Sequence, residues 1–459
     1  MSALLWLRRD LRRRDLPALG AAAAAAPDGV AVAFVVDPEF FDTAGAAPRA
    51  WLARTLRALS ETYDGRLCVR LGDPVTVIPA LAAETGATSV HVSTETEPGG
   101  AARDERVRAA LATRGVAWVE TGSPYAVTPG RLTTGAGTGF QVFTPFSRAW
   151  RDHGWREPAQ EPAGLRLLAP PADEAAWALL DRAGSADNLP TLPQAGEAAA
   201  LSRWRQFLDH ELDGYRAARD RPDLDGTSRL SPYLKFGVVH PRTLLADLAG
   251  RPGKDASVFT TELAWREFYA DVLHRHPGSL GDDLRPELRD LAYDHDPGLL
   301  DAWRHGRTGY PIVDAGMRQL LATGWMHNRV RMIAASFLTK DLHQWWPVGA
   351  EWFARHLIDI DLASNTHGWQ WTAGTGTDAA PYFRVFNPVL QGKKFDPQGD
   401  YVRRWVPELA HLPGPLAHEP WRTPRGTSGG YPDRIVDHAE ERAVALARYH
   451  GARQVTGSR

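Results

Sequence analysis

The feature that most restricts the fold is a change of hydrophobic period part-way along the chain. Up to about residue 130, short apolar runs alternate with helical stretches, and from about Glu197 only amphipathic helical patterns follow. The runs are 3–7, 30–36, 67–71, 89–92 and 116–119. The second, VAVAFVV, is rich in β-branched residues, as a strand buried on both faces should be. Helical stretches over 15–26, 48–63 and 74–85 separate the first four runs. This alternation predicts an α/β, doubly wound parallel sheet, Rossmann-like, over residues 1–130. No glycine-rich dinucleotide fingerprint follows the first strand, which argues against a nicotinamide site. Residues 131–196, rich in Gly, Pro and Ala, read as an interdomain linker with a helical piece near Phe146–Trp155. Residues 197–459 then read as a second, all-α domain.

Composition narrows the function classes. At 459 residues there is room for two or three domains. A formal net charge of −2 carries no global nucleic-acid signal, so any DNA-binding surface must be a local patch. The single cysteine, Cys68, rules out an internal disulfide and fits a reducing compartment. The start, MSALLWLRRDLRRRD, lacks the long apolar segment of a secretory signal, and no apolar run reaches the roughly 18 residues that span a bilayer. The expectation is a cytoplasmic protein with no membrane association, no obligate protein partner and a monomeric state. The arginine run at 8–14 reads as a solvated face or as a functional one. Of 17 tryptophans, 10 lie from Trp265 onward, which places the aromatic chemistry in the C-terminal half.

Four stretches carry candidate chemistry. In 359–388, Asp359 and Asp361 precede a turn-rich segment holding Asn365 and His367, and Trp369 and Trp371 flank Gln370. Small residues from Ala373 to Ala380 then lead to Tyr382, Phe383 and Phe386. Paired Trp beside acids and amides suits a large planar ligand, although a buried aromatic core with a tight turn uses the same residues. In GTSRLSPYLKFG (226–237), Thr227, Ser228, Arg229 and Ser231 suit a diphosphate or simply cap a helix. On a helix over 259–273, Glu262, Trp265, Arg266 and Tyr269 recur at three- and four-residue steps, an arrangement an ordinary half-buried helix shares. After a turn at Gly324, Asn328 and Met332 lie four apart on one helix face with Arg331 beside them. An amide and a thioether together suit a base pair of mixed polarity. Finally, Arg384–Arg404 sets five basic residues, Lys393 and Lys394 among them, against two acids, a local net charge of +3. That is a phosphate-tracking patch or a solvated surface.

The segments DLASNTHGWQW, TGTDAAPYFRVFNP and QGKKFDPQGDYVRRWVPEL, with LLWLRRDLRRRDLPAL near the start, resemble the photolyase/cryptochrome family. Within it they resemble the class I cyclobutane pyrimidine dimer photolyases. The resemblance implies an antenna-chromophore domain over 1–130, the linker 131–196, and a helical FAD- and DNA-binding catalytic domain over 197–459. It implies reduced FAD held by Tyr215, Thr227, Ser228, Arg229, Leu230, Ser231, Phe259, Arg266, Arg331, Asp359, Ile360, Asp361 and Asn365. Of these, Asn365 would face flavin N5 and Arg331 would pair with Asp359. It implies UV-damaged DNA contacted by Arg219, Glu262, Trp265, Arg266, Tyr269, Asn328, Arg329, Met332, Trp371, Lys393 and Lys394. Glu262 would hydrogen-bond the base dimer and Trp265 and Trp371 would wall its pocket. Asn328 and Met332, where (6-4) enzymes of the family carry histidines, imply the cyclobutane lesion.

Electron donors to oxidised flavin would be Trp369, then Trp346, then Tyr293 where the family pattern has tryptophan, with Trp303 or Trp345 as other possible ends. A second chromophore is implied, 8-hydroxy-5-deazaflavin in preference to methenyltetrahydrofolate, with 95–107, Asp37 and Arg49 as candidate contacts. No metal is expected. The implied reaction is light-dependent splitting of cyclobutane dimers by an electron from excited, reduced FAD. The alternative is a blue-light photoreceptor of cryptochrome type without repair, against which Asn365 and the lack of a long C-terminal tail argue.

Overall fold

The computed structural model describes residues 1–289, 291–379, 381 and 384–457, the side chains of 453–457 apart. Ala380, Tyr382 and Phe383 of the aromatic stretch therefore lie outside the described residues. The chain divides into two compact units. One gathers Met1–Asp213, Ser228–Pro277 and Ile358–Asp361; the other gathers Gly214–Thr227, Gly278–Leu357 and Leu362–Arg459.

The first unit is built on a parallel sheet of β1 (Ser2–Leu7), β2 (Gly29–Val36), β3 (Leu67–Leu71), β4 (Ala87–Val92) and β5 (Ala117–Glu120). Their order, β3-β2-β1-β4-β5, is that of a doubly wound sheet. All of β2 is buried, which is why its sequence reads as a continuous apolar run and not as an alternation. Helices Pro17–Ala25, Ala46–Thr62 and Pro74–Thr85 stand where the sequence places them. Two more, Pro38–Thr43 and Pro98–Ala112, were not expected; each starts on a proline, whose fixed φ suits a first helical turn that needs no N–H.

The same unit continues through helices Ser231–Lys235, Pro241–Ala249 and Lys254–Arg275. Part of the arginine run is interior and not a solvated face. Arg12 is 2% exposed and donates to the carbonyls of Gly237 at 2.9 Å and Asp15 at 2.7 Å. Gly237 has φ +61°, and a Cβ there would overlap the Arg9 carbonyl.

In the second unit, no strand occurs among the described residues. Helix Pro311–Thr323 ends on the left-handed Gly324, and Asn328–Lys340 begins where the His327 ring accepts from the Arg329 N–H. Trp346–His356 and Leu362–Ala373 pack beside it. The last of these corrects the sequence reading, which expected a turn-rich segment around Asn365 and His367. Tertiary contacts override the weak local propensity. The fully buried Gln370 donates to Ser279 O at 2.8 Å and Asp282 O at 3.2 Å and accepts from Leu284 N at 3.0 Å, while Trp369 lies against Gly349. Among the described residues, no helix is long and apolar enough to cross a membrane.

Candidate functional site

The first unit holds one set of candidate residues. Helix Lys254–Arg275 is fixed by two buried carboxylates. Glu267 accepts from Val127 N at 3.0 Å and Trp150 Nε1 at 2.6 Å, and Asp271 accepts from Gly130 N at 2.7 Å. Such charge-assisted bonds hold the helix against the 123–132 stretch and leave Glu262, Trp265 and Tyr269 half-buried. One face of Trp265 is already covered, because the Phe143 ring stacks on it at 3.6 Å and 7°. Phe259, 4% exposed, is packed with Trp204 and Phe207 at ring distances of 5.3 and 5.1 Å.

Arg229 is left-handed (φ +55°) and Leu230 right-handed, a pairing that turns successive N–H groups toward one point, as anion-binding nests do. Ser228 O accepts from Arg203 Nε at 3.0 Å, which fixes the start of that turn, and Ser231 is exposed beyond it. Asp359 and Asp361 are buried and Ile360 is half-buried. The Asp361 carboxylate lies 3.0 Å from Arg9 and 4.0 Å from Arg266. Arg9 in turn reaches Glu97 at 2.5 Å, and Arg266 lies over the Tyr125 ring at 4.5 Å. Asp361 and Arg266, expected as ligand contacts, are thus bound into a buried ion network that the sequence did not disclose.

The second unit holds the other set. Tyr215 is buried at the start of a short turn of helix that Arg219 caps, and Thr227 is half-buried. Asn328 Nδ2 stands 4.0 Å from Met332 Sδ on one face of its helix, Asn328 exposed and Met332 half-buried. Arg331 donates to Met326 O at 2.8 Å. Arg329 pairs with Asp220 at 2.8 Å and lies over the Phe395 ring. Asn365 Nδ2 donates to Ala350 O at 3.1 Å, which orients the amide and leaves Oδ1 as the acceptor. A ligand N–H or O–H is what that oxygen fits.

Trp369 and Trp346 are buried and Trp371 is half-buried. Trp346 Nε1 donates to Asp283 at 2.8 Å, a contact with no motif to signal it beyond the acid pair Asp282–Asp283. The Tyr293 ring lies 6.4 Å from that of Trp345, which is 37% exposed, and its buried hydroxyl has no hydrogen-bond partner among the described residues. Asp294, one of the nearby acids, is paired with Arg448 at 2.9 Å. In the basic stretch, Lys393 is bonded to Glu419, whereas Lys394 is exposed above the Phe395 ring at 5.0 Å. Among the described residues, no group of three His, Cys, Asp or Glu side chains is placed to hold a metal.

Comparison with known proteins identifies the family and the fold. Residues 3–163 match the DNA photolyase family, and residues 259–451 match the FAD binding domain of DNA photolyase. A deoxyribodipyrimidine photo-lyase of Halobacterium salinarum is 41% identical over 477 positions, spanning 98% of this chain and 99% of that one. A class III photolyase of Agrobacterium tumefaciens, known as a crystal structure, is similar with a TM-score of 0.90 at 36% identity, over 99% of this chain and 98% of that one. A Synechocystis cryptochrome is similar with a TM-score of 0.87 at 27% identity, over 97% and 98%. Fold likeness therefore extends to photolyases and to a cryptochrome, and the choice between their functions falls to the site.

Proposed function

The chain belongs to the DNA photolyase family, and on that premise we propose that it repairs cyclobutane pyrimidine dimers in DNA, in the manner of class I, by light-driven electron transfer from FAD. When bound in its reduced form, FAD supplies an electron that light raises to reducing power. The chain's part is to bind, orient and exclude water. The left-handed Arg229 turn with Ser228, Leu230 and Ser231, together with Tyr215 and Thr227, would hold the phosphate and adenosine portion, with Phe259 shaping its aromatic surroundings. Arg331, Asp359, Ile360 and Asp361 would surround the ring and ribityl portion.

The dimer would be flipped out of the duplex, its distorted pairing lowering the cost of extrusion. Glu262 would hydrogen-bond it, Trp265 and Trp371 would give it aromatic surface, and Tyr269, Asn328 and Met332 would contact its edges and partner bases. Arg219, Arg329, Lys393 and Lys394 would meet phosphates, while Arg266, held beside Asp361, would serve the flavin and the lesion pocket. For reactivation of oxidised enzyme, Trp369, Trp346 and Tyr293 would pass electrons inward in reverse of that order. We assign the antenna role to residues 1–130 with 8-hydroxy-5-deazaflavin, the connection to 131–196 and catalysis to 197–459, in a monomer acting in the cytoplasm.

The observation that carries the repair reading over the photoreceptor one is the anchored amide of Asn365, neutral and with its acceptor oxygen directed away from Ala350. The test is lesion choice. Reduced protein illuminated with duplexes holding one lesion type should restore cyclobutane dimers and leave (6-4) products unchanged. Restoration of (6-4) products, or of neither, overturns the reading.

A further inference from the structure

The donor chain raises a question of proton traffic. Removing an electron from an indole makes its N–H strongly acidic, so the fate of the hole depends on which indole has a base. Among the described residues, the buried Trp369 Nε1 has no hydrogen-bond partner, and Trp303 Nε1 donates to the carbonyl of Ala334 at 3.0 Å, which is no base. Trp346, 1% exposed, instead donates to a carboxylate, Asp283 Oδ1, at 2.8 Å. That distance lies within the range for direct proton transfer. Asp283 is itself buried, which pushes its carboxyl above the ordinary range, while bonds from its neighbours, the Trp346 N–H among them, draw it back.

Indole-to-carboxylate bonds also occur at Trp150 with Glu267 and at Trp204 with Asp247, so the bond alone marks no function. What sets this one apart is its place on the second donor.

We propose that Asp283 is the base that takes the indole proton of Trp346 after Trp346 has been oxidised. The inference rests on the donor order given above. The one-electron oxidant is light-excited oxidised flavin, which takes an electron from Trp369, and Trp346 then refills Trp369. The Trp346 N–H bond breaks, its electron pair stays on nitrogen, and the proton forms an O–H bond with Asp283. A buried cation and carboxylate become a neutral indolyl radical and a neutral acid, so no buried charge is left on the pair. Among the described residues the Tyr293 hydroxyl has no acceptor, and burial followed by the charge of Asp283 raises its pKa. The proton therefore leaves Trp346 first, and oxidation of Tyr293 is the slower, later event.

The test is flash excitation of the protein loaded with oxidised FAD, read by transient absorption, in which tryptophanyl cation and neutral radical have distinct bands. In wild type the cation should convert to the neutral radical, more slowly in D2O than in H2O. Asp283→Asn keeps an oxygen to accept the indole hydrogen bond but cannot take the proton. Its cation should live at least about tenfold longer, a barrier difference of about 1.4 kcal/mol, and Asp283→Glu should restore conversion. An unchanged cation lifetime in Asp283→Asn overturns the inference. So does the absence of a solvent isotope effect in wild type, which needs no variant to fold. Failure of the donor order would look different, because Trp346→Phe would then give the wild-type yield of long-lived radical.

Discussion

Gly349→Ala perturbs the innermost donor through packing alone. A Cβ at 349 would overlap the edge of the Trp369 ring and stand 2.5 Å from Leu338 Cδ2. Trp369 is 2% exposed and Leu338 0%, so neither side chain can swing aside into solvent. Alanine gains about 1 kcal/mol in helix propensity over glycine. Overpacking a tight interior costs about 1–3 kcal/mol. The net is a destabilisation of about 0–2 kcal/mol, modest beside the forced displacement of the ring. Stability is read by urea unfolding, and ring placement by the rate at which steady light reduces the oxidised flavin. We expect photoreduction to fall severalfold, while enzyme reduced chemically beforehand keeps most of its repair. Photoreduction at the wild-type rate, with stability unchanged, would refute the contact between position 349 and the donor ring.

Three further outcomes follow from other parts of the molecule. His240 caps helix Pro241–Ala249 by accepting from Arg242 N at 3.1 Å, and its burial depresses the pKa to about 4 from 6.5. The unfolded chain then binds the proton first, so stability present above pH 6.5 is lost as pH falls toward 4, by on the order of 3 kcal/mol. His240→Asn keeps a capping oxygen, and if it loses stability across that window as wild type does, His240 is not the source. Because Lys393 is bonded to Glu419, Lys394→Ala should lower the log–log salt slope of DNA binding by about one unit and Lys393→Ala by less; equal losses would show that the Glu419 contact opens on DNA. Glu262→Ala should retain FAD yet repair fewer dimers per absorbed photon, and an unchanged quantum yield at saturating substrate would remove Glu262 from the mechanism.

The sheet was legible because strands such as β2 are buried on both faces and so carry an unbroken apolar, β-branched run. Helix Leu362–Ala373 was not, since SNTHG reads as turn and the helix is held by Gln370 and by Trp369 on Gly349, partners 20 to 91 positions away in the chain. Charge misled for a related reason. The +3 of Arg384–Arg404 counts Lys393 as free, but its partner Glu419 lies outside that window. Arg9, in a run that read equally as solvated, is buried among Glu97, Glu95 and Asp361. Motif residues such as Asn328 and Met332 were legible because helical spacing alone brings them to one face.

The measurement that bears most directly on the central claim is a single flash delivered to the reduced, FAD-loaded protein bound to DNA with one cyclobutane dimer. The reading predicts loss of the dimer with the flavin again fully reduced afterward, because the electron lent to the lesion returns. In the dark, nothing should change. Dimer loss accompanied by equal oxidation of the flavin, or a flash that leaves every dimer intact in a complex shown to have formed, would contradict it.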